Sequence, residues 1–152
     1  MHTIDASFGM PHLPLRNYLE VTVANPLNGC TQLEEGQRHL ETLVVVQRGD
    51  CTFAQKVAIV QSTGAIGVLV VNNDDKMITL MVCGVADSCS EITIPALMID
   101  RINGEDFLSE VRWYLSMLEV SHVNSYLLWM DVTNNDASCT RNTANASYRL
   151  SF

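Results

Sequence analysis

Two aliphatic runs, one short helix apart, constrain this chain more than anything else in it. Leu43 to Val46 are four consecutive aliphatic residues. The run is too short for a helix and too apolar for a surface loop, and it suits a strand covered on both faces, as in a parallel sheet. A polar turn follows, Gln47-Arg48-Gly49-Asp50, where Gly49 can take the positive φ that a tight strand-to-helix corner needs. Thr52 or Asp50 is then placed to cap a helix. Phe53, Val57 and Val60 recur at helical spacing, with Gln55 and Lys56 expected on the wet side. Gly64 is placed to end that helix in the left-handed conformation. Ile66 to Val71 is a second aliphatic run, closed by Asn72-Asn73-Asp74-Asp75. Strand, helix and strand over residues 43–71 read as a βαβ unit with a right-handed crossover.

The rest of the chain has to supply that unit with neighbours. At 152 residues the length fits one domain, large enough to bury about two thirds of its unfolded surface. Residues 13–24 read as an entering strand through Tyr18, Leu19, Val21 and Val23, with Pro26 and Asn28-Gly29 making the next turn. Thr31 to Glu41 is polar and reads as a surface loop. Met77 to Val82 is apolar and is expected to form a short edge strand. Pro95 sits where a strand over Ala96 to Ile99 begins, a position that tolerates its missing N–H. Asp100 is placed to cap a second helix carrying Ile102, Leu108, Val111 and Leu115. Gly104 inside that helix lowers its propensity but lets it pack close to the sheet.

Composition excludes several functions. A net charge of −8 argues against nucleic acid as a partner, since phosphate contacts need an excess of Lys and Arg. No basic amphipathic segment points to a membrane surface. Met1 to Asp5 has neither the basic segment nor the apolar core that directs secretion. The most apolar long stretch, Trp113 to Val132, is interrupted by Glu119, His122, Asn124 and Asp131, so no direct membrane insertion is expected. The chain reads as soluble and as a piece of something longer.

Catalytic and metal-binding patterns are weak. Cys51 stands at the start of the first helix, where a thiol can be acidified into a nucleophile, and His39 or His122 would be its base. Neither His lies in a recognisable motif, and a half-cystine or buried thiol is the simpler reading. Asp131, Thr133 and Asn135 alternate like a calcium loop, yet position six lacks Gly and position twelve is Asn142 rather than Glu. No metal site and no cofactor is expected. Arg48-Gly49-Asp50 spells an integrin-recognition tripeptide, but at a taut turn beside a cysteine the geometry explains Gly49. The five cysteines, Cys30, Cys51, Cys83, Cys89 and Cys139, include no Cys-x-x-Cys pair, against zinc ribbons and thioredoxin-like sites. A bridge between Cys83 and Cys89 would close a short loop, and one between Cys30 and Cys51 would tie the segment before the first buried strand to the helix start. Five reduced thiols in a cytosolic protein is the other reading. Asn145-Ala146-Ser147 is a glycosylation acceptor and agrees with a lumenal setting.

One family joins these features. The order apolar strand, Arg48, Gly49, Cys51, Phe53, Lys56, Gly64-Ala65, apolar strand, Asn72-Asn73 resembles the protease-associated (PA) domain. Ile92-Thr93-Ile94-Pro95 leading into Ala96 to Ile99 is similar to that family's second signature. Ser7-Phe8-Gly9 and Ala24 to Cys30 are similar to its opening strands. The likeness covers residues 7–112 and is nearest to the lumenal domains of vacuolar sorting receptors, transmembrane RING ubiquitin ligases and signal-peptide-peptidase-like proteases. It implies a mixed α/β fold, a β-sandwich or partly open barrel flanked by two helices. It also implies the pairings Cys30–Cys51 and Cys83–Cys89, with Cys139 left over. Residues 1–112 would form the core, and 113–152 a divergent C-terminal segment, either a displaced last strand or a partly disordered tail.

The function implied is a non-catalytic module binding a protein or peptide ligand beside a transmembrane or catalytic domain of a parent chain. Its setting would be the secretory-pathway lumen or the extracellular side, in an endosome, vacuole or lysosome. The alternatives are a small cysteine-dependent hydrolase using Cys51 and an inert spacer. Loops at the carboxyl ends of parallel strands form crevices, which places the expected ligand site at Arg48, Asp50, Asn72, Asn73, Asp74 and Asp75. The Cys83–Cys89 loop is expected to complete it.

Overall fold

In a computed structural model the residues described are 3–10, 13, 19–34, 39–75, 78–121, 129–130 and 147–148. The elements are β1 (Thr3–Asp5), β2 (Glu20–Val23), β3 (Thr42–Gln47), α1 (Phe53–Ser62), β4 (Gly67–Val71), β5 (Ala96–Ile99), α2 (Arg101–Ser121), β6 (Trp129–Met130) and β7 (Ser147–Tyr148). The first five strands make one mixed sheet in the order β1-β5-β4-β3-β2. Strands β2 to β5 run parallel, and β1 lies antiparallel against β5. β6 and β7 form a separate parallel pair. The class is the expected mixed α/β, with the βαβ unit at β3–α1–β4 and a helix on either face of the sheet.

The pleat explains the two faces. Successive side chains of a strand point to opposite sides, so Val44, Val46, Val68, Val70, Ala96 and Met98 share one face with Ala54, Val57 and Val60 of α1. Leu43, Val45, Leu69, Val71, Leu97 and Ile99 share the other with Phe107, Leu108 and Val111 of α2. All of these strand residues are essentially sealed from solvent. That is why the runs read as continuous aliphatic stretches instead of alternating ones.

Helix ends follow their sequence signals closely. Thr52 is the N-cap of α1, and its hydroxyl accepts from the Gln55 backbone N–H at 3.2 Å while the Gln55 side chain accepts from the Thr52 N–H at 3.4 Å. This reciprocal pairing satisfies two otherwise orphaned donors. Gly64 follows the helix with φ +85°, and a Cβ built on it would lie 2.8 Å from Leu40 Cδ1. Asp100 Oδ1 accepts from the Asn103 N–H at 2.9 Å at the start of α2. Gly104 rests against Val71, whose Cγ1 would collide with any Cβ there. The close packing expected of Gly104 is what the helix does.

Four expectations need correction. Ile102 is 65% exposed, because the stripe of α2 that meets the sheet is Gly104, Phe107, Leu108 and Val111, two positions out of phase with it. Residues 78–82 are irregular instead of forming an edge strand; Met81 is buried and its carbonyl accepts from the Ser7 N–H at 2.9 Å. The edge beside β5 is taken by β1, from the terminal segment that carried no strand signal. The polar segment after Thr31 is not wholly a surface loop, since Leu33 and His39 are buried. α2 runs through position 112 to Ser121. His122, Cys139, Asn142 and Asn145 lie outside the described residues.

His39 sits under the β2–β3 edge. Its Nδ1 lies 2.8 Å from Thr22 Oγ1, and its backbone carbonyl accepts from the Thr42 hydroxyl at 2.9 Å. Its Nε2 is buried and has no hydrogen-bond partner among the described residues. Burial lowers its pKa, since a charged imidazolium there would be poorly solvated. A folded-state pKa below the unfolded value of about 6.5 means that the unfolded chain takes up a proton first as pH falls. The stability His39 contributes is therefore complete above that pH and lost as pH drops from there toward the folded value, by up to about 1.4 kcal/mol per unit. Urea melts between pH 7.5 and 5 should show this slope, and His39→Gln should flatten it; an equal slope in the variant assigns the effect elsewhere. Gly64→Val should lower stability by roughly 1–3 kcal/mol through strain at positive φ, and an unchanged melt would show that the turn relaxes freely.

Candidate functional site

Because β3 and β4 are adjacent and parallel, the loops leaving them emerge side by side at one end of the sheet. The first loop turns sharply: Gly49 has φ +119° and Asp50, unusually for a residue with a side chain, φ +67°. Its Arg48 N–H donates to Val71 O at 2.9 Å, stitching the first loop to the second. The Arg48 guanidinium donates from Nη1 to Asn72 Oδ1 at 2.9 Å, lies 3.9 Å from Asp74 Oδ2, and covers the Phe53 ring at 5.9 Å from its centroid. Asn72 is fully buried. Its Oδ1 also accepts from the Asn73 N–H at 3.0 Å, and its Nδ2 donates to Asp74 Oδ1 at 3.3 Å.

The predicted site residues thus divide by what they touch. Arg48, Asn72, Asn73 and Asp74 form one network, with Asn72 buried, Arg48 and Asp74 half-buried and Asn73 exposed. Asp75 belongs to a second: it accepts from Arg101 at 2.6 and 2.8 Å, while Arg101 also grips Glu105 at 2.9 and 3.0 Å. Asp50 is exposed, with Oδ2 accepting from Asn28 Nδ2 at 2.9 Å. Between the first loop and the loop closed by Cys83 runs an open groove of about 570 Å³, lined by Arg48, Asp50, Phe53, Gln55, Val82 and Gly84 among others. Phe53, Gln55 and Val82 were not anticipated as lining; Phe53 reads as a core position, and only the fold brings Val82 opposite it.

Both disulfides implied by the sequence are formed, Cys30–Cys51 and Cys83–Cys89. The second closes a loop pinned inside by Gly84 N–H to Asp87 Oδ2 at 3.1 Å and Asp87 N–H to Gly84 O at 3.0 Å. Val85 on it and Val82 just before it stand exposed. Cys51 is a half-cystine, so it offers no free thiol of the kind a cysteine hydrolase requires. His39 is committed beneath the β2–β3 edge. Among the described residues no group of three His, Cys, Asp or Glu side chains is arranged to hold a metal, and no helix is long and apolar enough to cross a membrane.

Lys56 also lies elsewhere than its charge suggests. Expected on the wet side, it is fully buried, and its ammonium donates to Asn28 O at 2.5 Å, to Gly49 O at 2.6 Å and to Cys30 Sγ at 3.2 Å. Three donors meet three acceptors. Burial lowers its pKa, opposed by the Asp50 carboxylate. The signal that could have found it is spacing: Phe53, Lys56, Val57 and Val60 fall at i, i+3, i+4 and i+7, the inner stripe of α1.

The comparisons with known proteins agree with this construction. The family described as the PA domain matches residues 19–107, and the chain belongs to that family. It is 33% identical over 117 residues to ER degradation-enhancing alpha-mannosidase-like protein 3 of Xenopus laevis, covering 72% of this chain and 13% of that protein. It is 36% identical over 87 residues to signal peptide peptidase-like 5 of Arabidopsis thaliana, covering 57% and 16%. It is 31% identical over 108 residues to human E3 ubiquitin-protein ligase ZNRF4, covering 68% and 25%. Among solved structures, a zinc aminopeptidase from Bacillus subtilis superposes with a TM-score of 0.52 at 16% identity, over 70% of this chain and 24% of that one. That likeness speaks for the fold. The chain spans between 13% and 25% of the length of these relatives, as a PA module does within larger proteins.

Lys56→Met tests the buried contact. The variant keeps most of the stem but leaves two backbone carbonyls without their donor, and should lose roughly 1–3 kcal/mol of stability in urea melts with the disulfides intact. Replacing a buried charge by an apolar group can also stabilise; a gain here would mean that the ammonium's desolvation outweighs its three bonds.

Proposed function

We infer that this PA domain is a non-catalytic binding module that seats an extended protein or peptide segment in the groove between the loop after β3 and the loop closed by Cys83. Arg48 and Asp50 supply charge on the rim, and Phe53 and Val82 supply apolar contact. Asn72, Asn73 and Asp74 hold Arg48 in position, while Asp75 with Arg101 fixes the far side of the second loop. The carrying observation is the groove itself, walled by two cross-linked loops and lined by paired aromatic, apolar and charged side chains. Rigid walls lose little entropy when a flexible ligand binds, which favours affinity at this place over a floppy surface loop. Arg over an aromatic ring at a groove edge is the kind of group that dominates binding energy.

The proposed setting is the secretory-pathway lumen or the extracellular side, in an endosome, vacuole or lysosome. Two disulfides support an oxidising compartment, as does likeness to an ER degradation-enhancing protein and to signal peptide peptidase-like proteins. A transmembrane or catalytic domain of a parent chain is the proposed neighbour, in keeping with the small share of each relative that this chain spans.

A peptide library captured on the immobilised domain tests the reading. Arg48→Ala should weaken capture by about tenfold or more. Asp74→Ala with Asp75→Ala should weaken it by about three- to tenfold without lowering stability, because exposed ion pairs contribute little to folding. No enrichment over a blank surface would favour a spacer, and enrichment indifferent to all three substitutions would move the site elsewhere.

A further inference from the structure

The Cys30–Cys51 disulfide lies directly against a buried cation. Cys51 lines the groove, whereas Cys30 is not among the lining residues. Cys30 Sγ instead touches the Lys56 ammonium at 3.2 Å, and that ammonium is fixed by the carbonyls of Asn28 and Gly49. The one N–H of Lys56 not given to a carbonyl is thus given to a sulfur, a weak acceptor while the disulfide is intact. Cleavage of the S–S bond would turn the same sulfur into a thiolate already facing a cation.

We propose that Cys30–Cys51 is a thiol-exchange centre, at which a thiolate arriving through the groove attacks Cys51 Sγ and Cys30 departs as a thiolate stabilised by Lys56. The incoming thiolate gives its electron pair to the new S–S bond with Cys51. The old S–S bond breaks, and its pair leaves on Cys30. No outside oxidant or reductant is consumed: the disulfide is exchanged, and charge passes from the incoming sulfur to Cys30. Reverse attack by the Cys30 thiolate on Cys51 restores the original bond and releases the captured thiol, so capture is reversible. The direction of attack follows from which half-cystine lines the groove, and its speed from the acidity of the leaving thiol; both cysteines are half-buried, but only Cys51 lines the groove, and Lys56 contacts Cys30 Sγ. Asp50 is the opposing charge nearby, but it is exposed and held by Asn28, whereas Lys56 is buried in direct contact with the leaving sulfur.

This shares its groove with the binding reading but adds covalent chemistry to it, and the two fail separately. The wild-type domain is incubated with glutathione or with a cysteine-bearing peptide at equal thiol concentration, quenched with acid, and mapped by mass spectrometry. The mixed disulfide should form on Cys51 in about tenfold excess over Cys30 with either probe. A faster reaction with the peptide assigns the natural thiol to a polypeptide, and a faster reaction with glutathione assigns it to a small molecule. A peptide with serine in place of the cysteine reports non-covalent seating alone. In a Cys51→Ser variant, the thiolate absorbance of Cys30 should titrate below the ordinary cysteine value of about 8.5, and adding Lys56→Met should move it back up. Adducts on Cys30, or at Cys83 and Cys89 with Cys51 untouched, would overturn the proposal, as would a Cys30 titration indifferent to Lys56. If the variants do not fold, the distribution of adducts in the wild type decides.

Discussion

One buried ammonium holds the turn between β3 and α1 together. Lys56 lies on α1, yet its partners belong to the segment before β3 and to the turn after it. A buried cation is costly unless its donors are all matched, so its position ties three pieces of chain to one another. The Cys30–Cys51 bond closes the same triangle covalently. Gly49 follows from the arrangement too: at φ +119° its carbonyl turns in toward the ammonium, in a conformation that disfavours side chains. The sharp turn, the half-cystine and the lysine are a single construction, which is why they occur together within the stretch from Arg48 to Lys56.

Periodicity made much of the fold legible before any coordinates. Two aliphatic runs with a capped helix between them leave few alternatives to a parallel βαβ unit, and Thr52, Gly64, Asp100 and Gly104 each sit where local chemistry placed them. What the sequence concealed was chiefly tertiary. Lys56 was assigned by its charge when its spacing pointed inward; charge usually prevails in such conflicts because an unmatched buried cation is so unfavourable. Only the folded turn reveals the carbonyls that match it. β1 is three residues long, too short to show alternation, and is a strand only because β5 has a free edge beside it. Residues 78–82 have the hydrophobicity of a strand, but only Ile78 and Met81 pack on the core, and the Met81 carbonyl is satisfied by Ser7 instead of a ladder.

The site was legible in the same partial way. Topology alone brings the loops after β3 and β4 together, so Arg48 and the Asn72–Asp75 segment could be paired from sequence. Their division of labour could not. Asn72 has the look of a ligand-facing polar residue, and its burial converts it into the support on which Arg48 rests. Val82 reads as part of an apolar run until the Cys83–Cys89 loop turns it outward opposite Phe53.

On the proposed reading, the charge distribution would give the groove a selectivity of its own. At −8 overall, the domain repels acidic ligands at a distance, but that field fades within about 8 Å at physiological ionic strength. Inside that range a ligand meets Arg48, whose Nη1 is engaged by Asn72 and whose planar fork retains further donors. The guanidinium is oriented rather than neutralised, since its ion pair with Asp74 is long and open to solvent. On the proposed binding reading, a neutral or basic chain carrying one local acceptor would be favoured at both ranges, whereas a uniformly acidic one would be repelled before it reached the Arg48 rim.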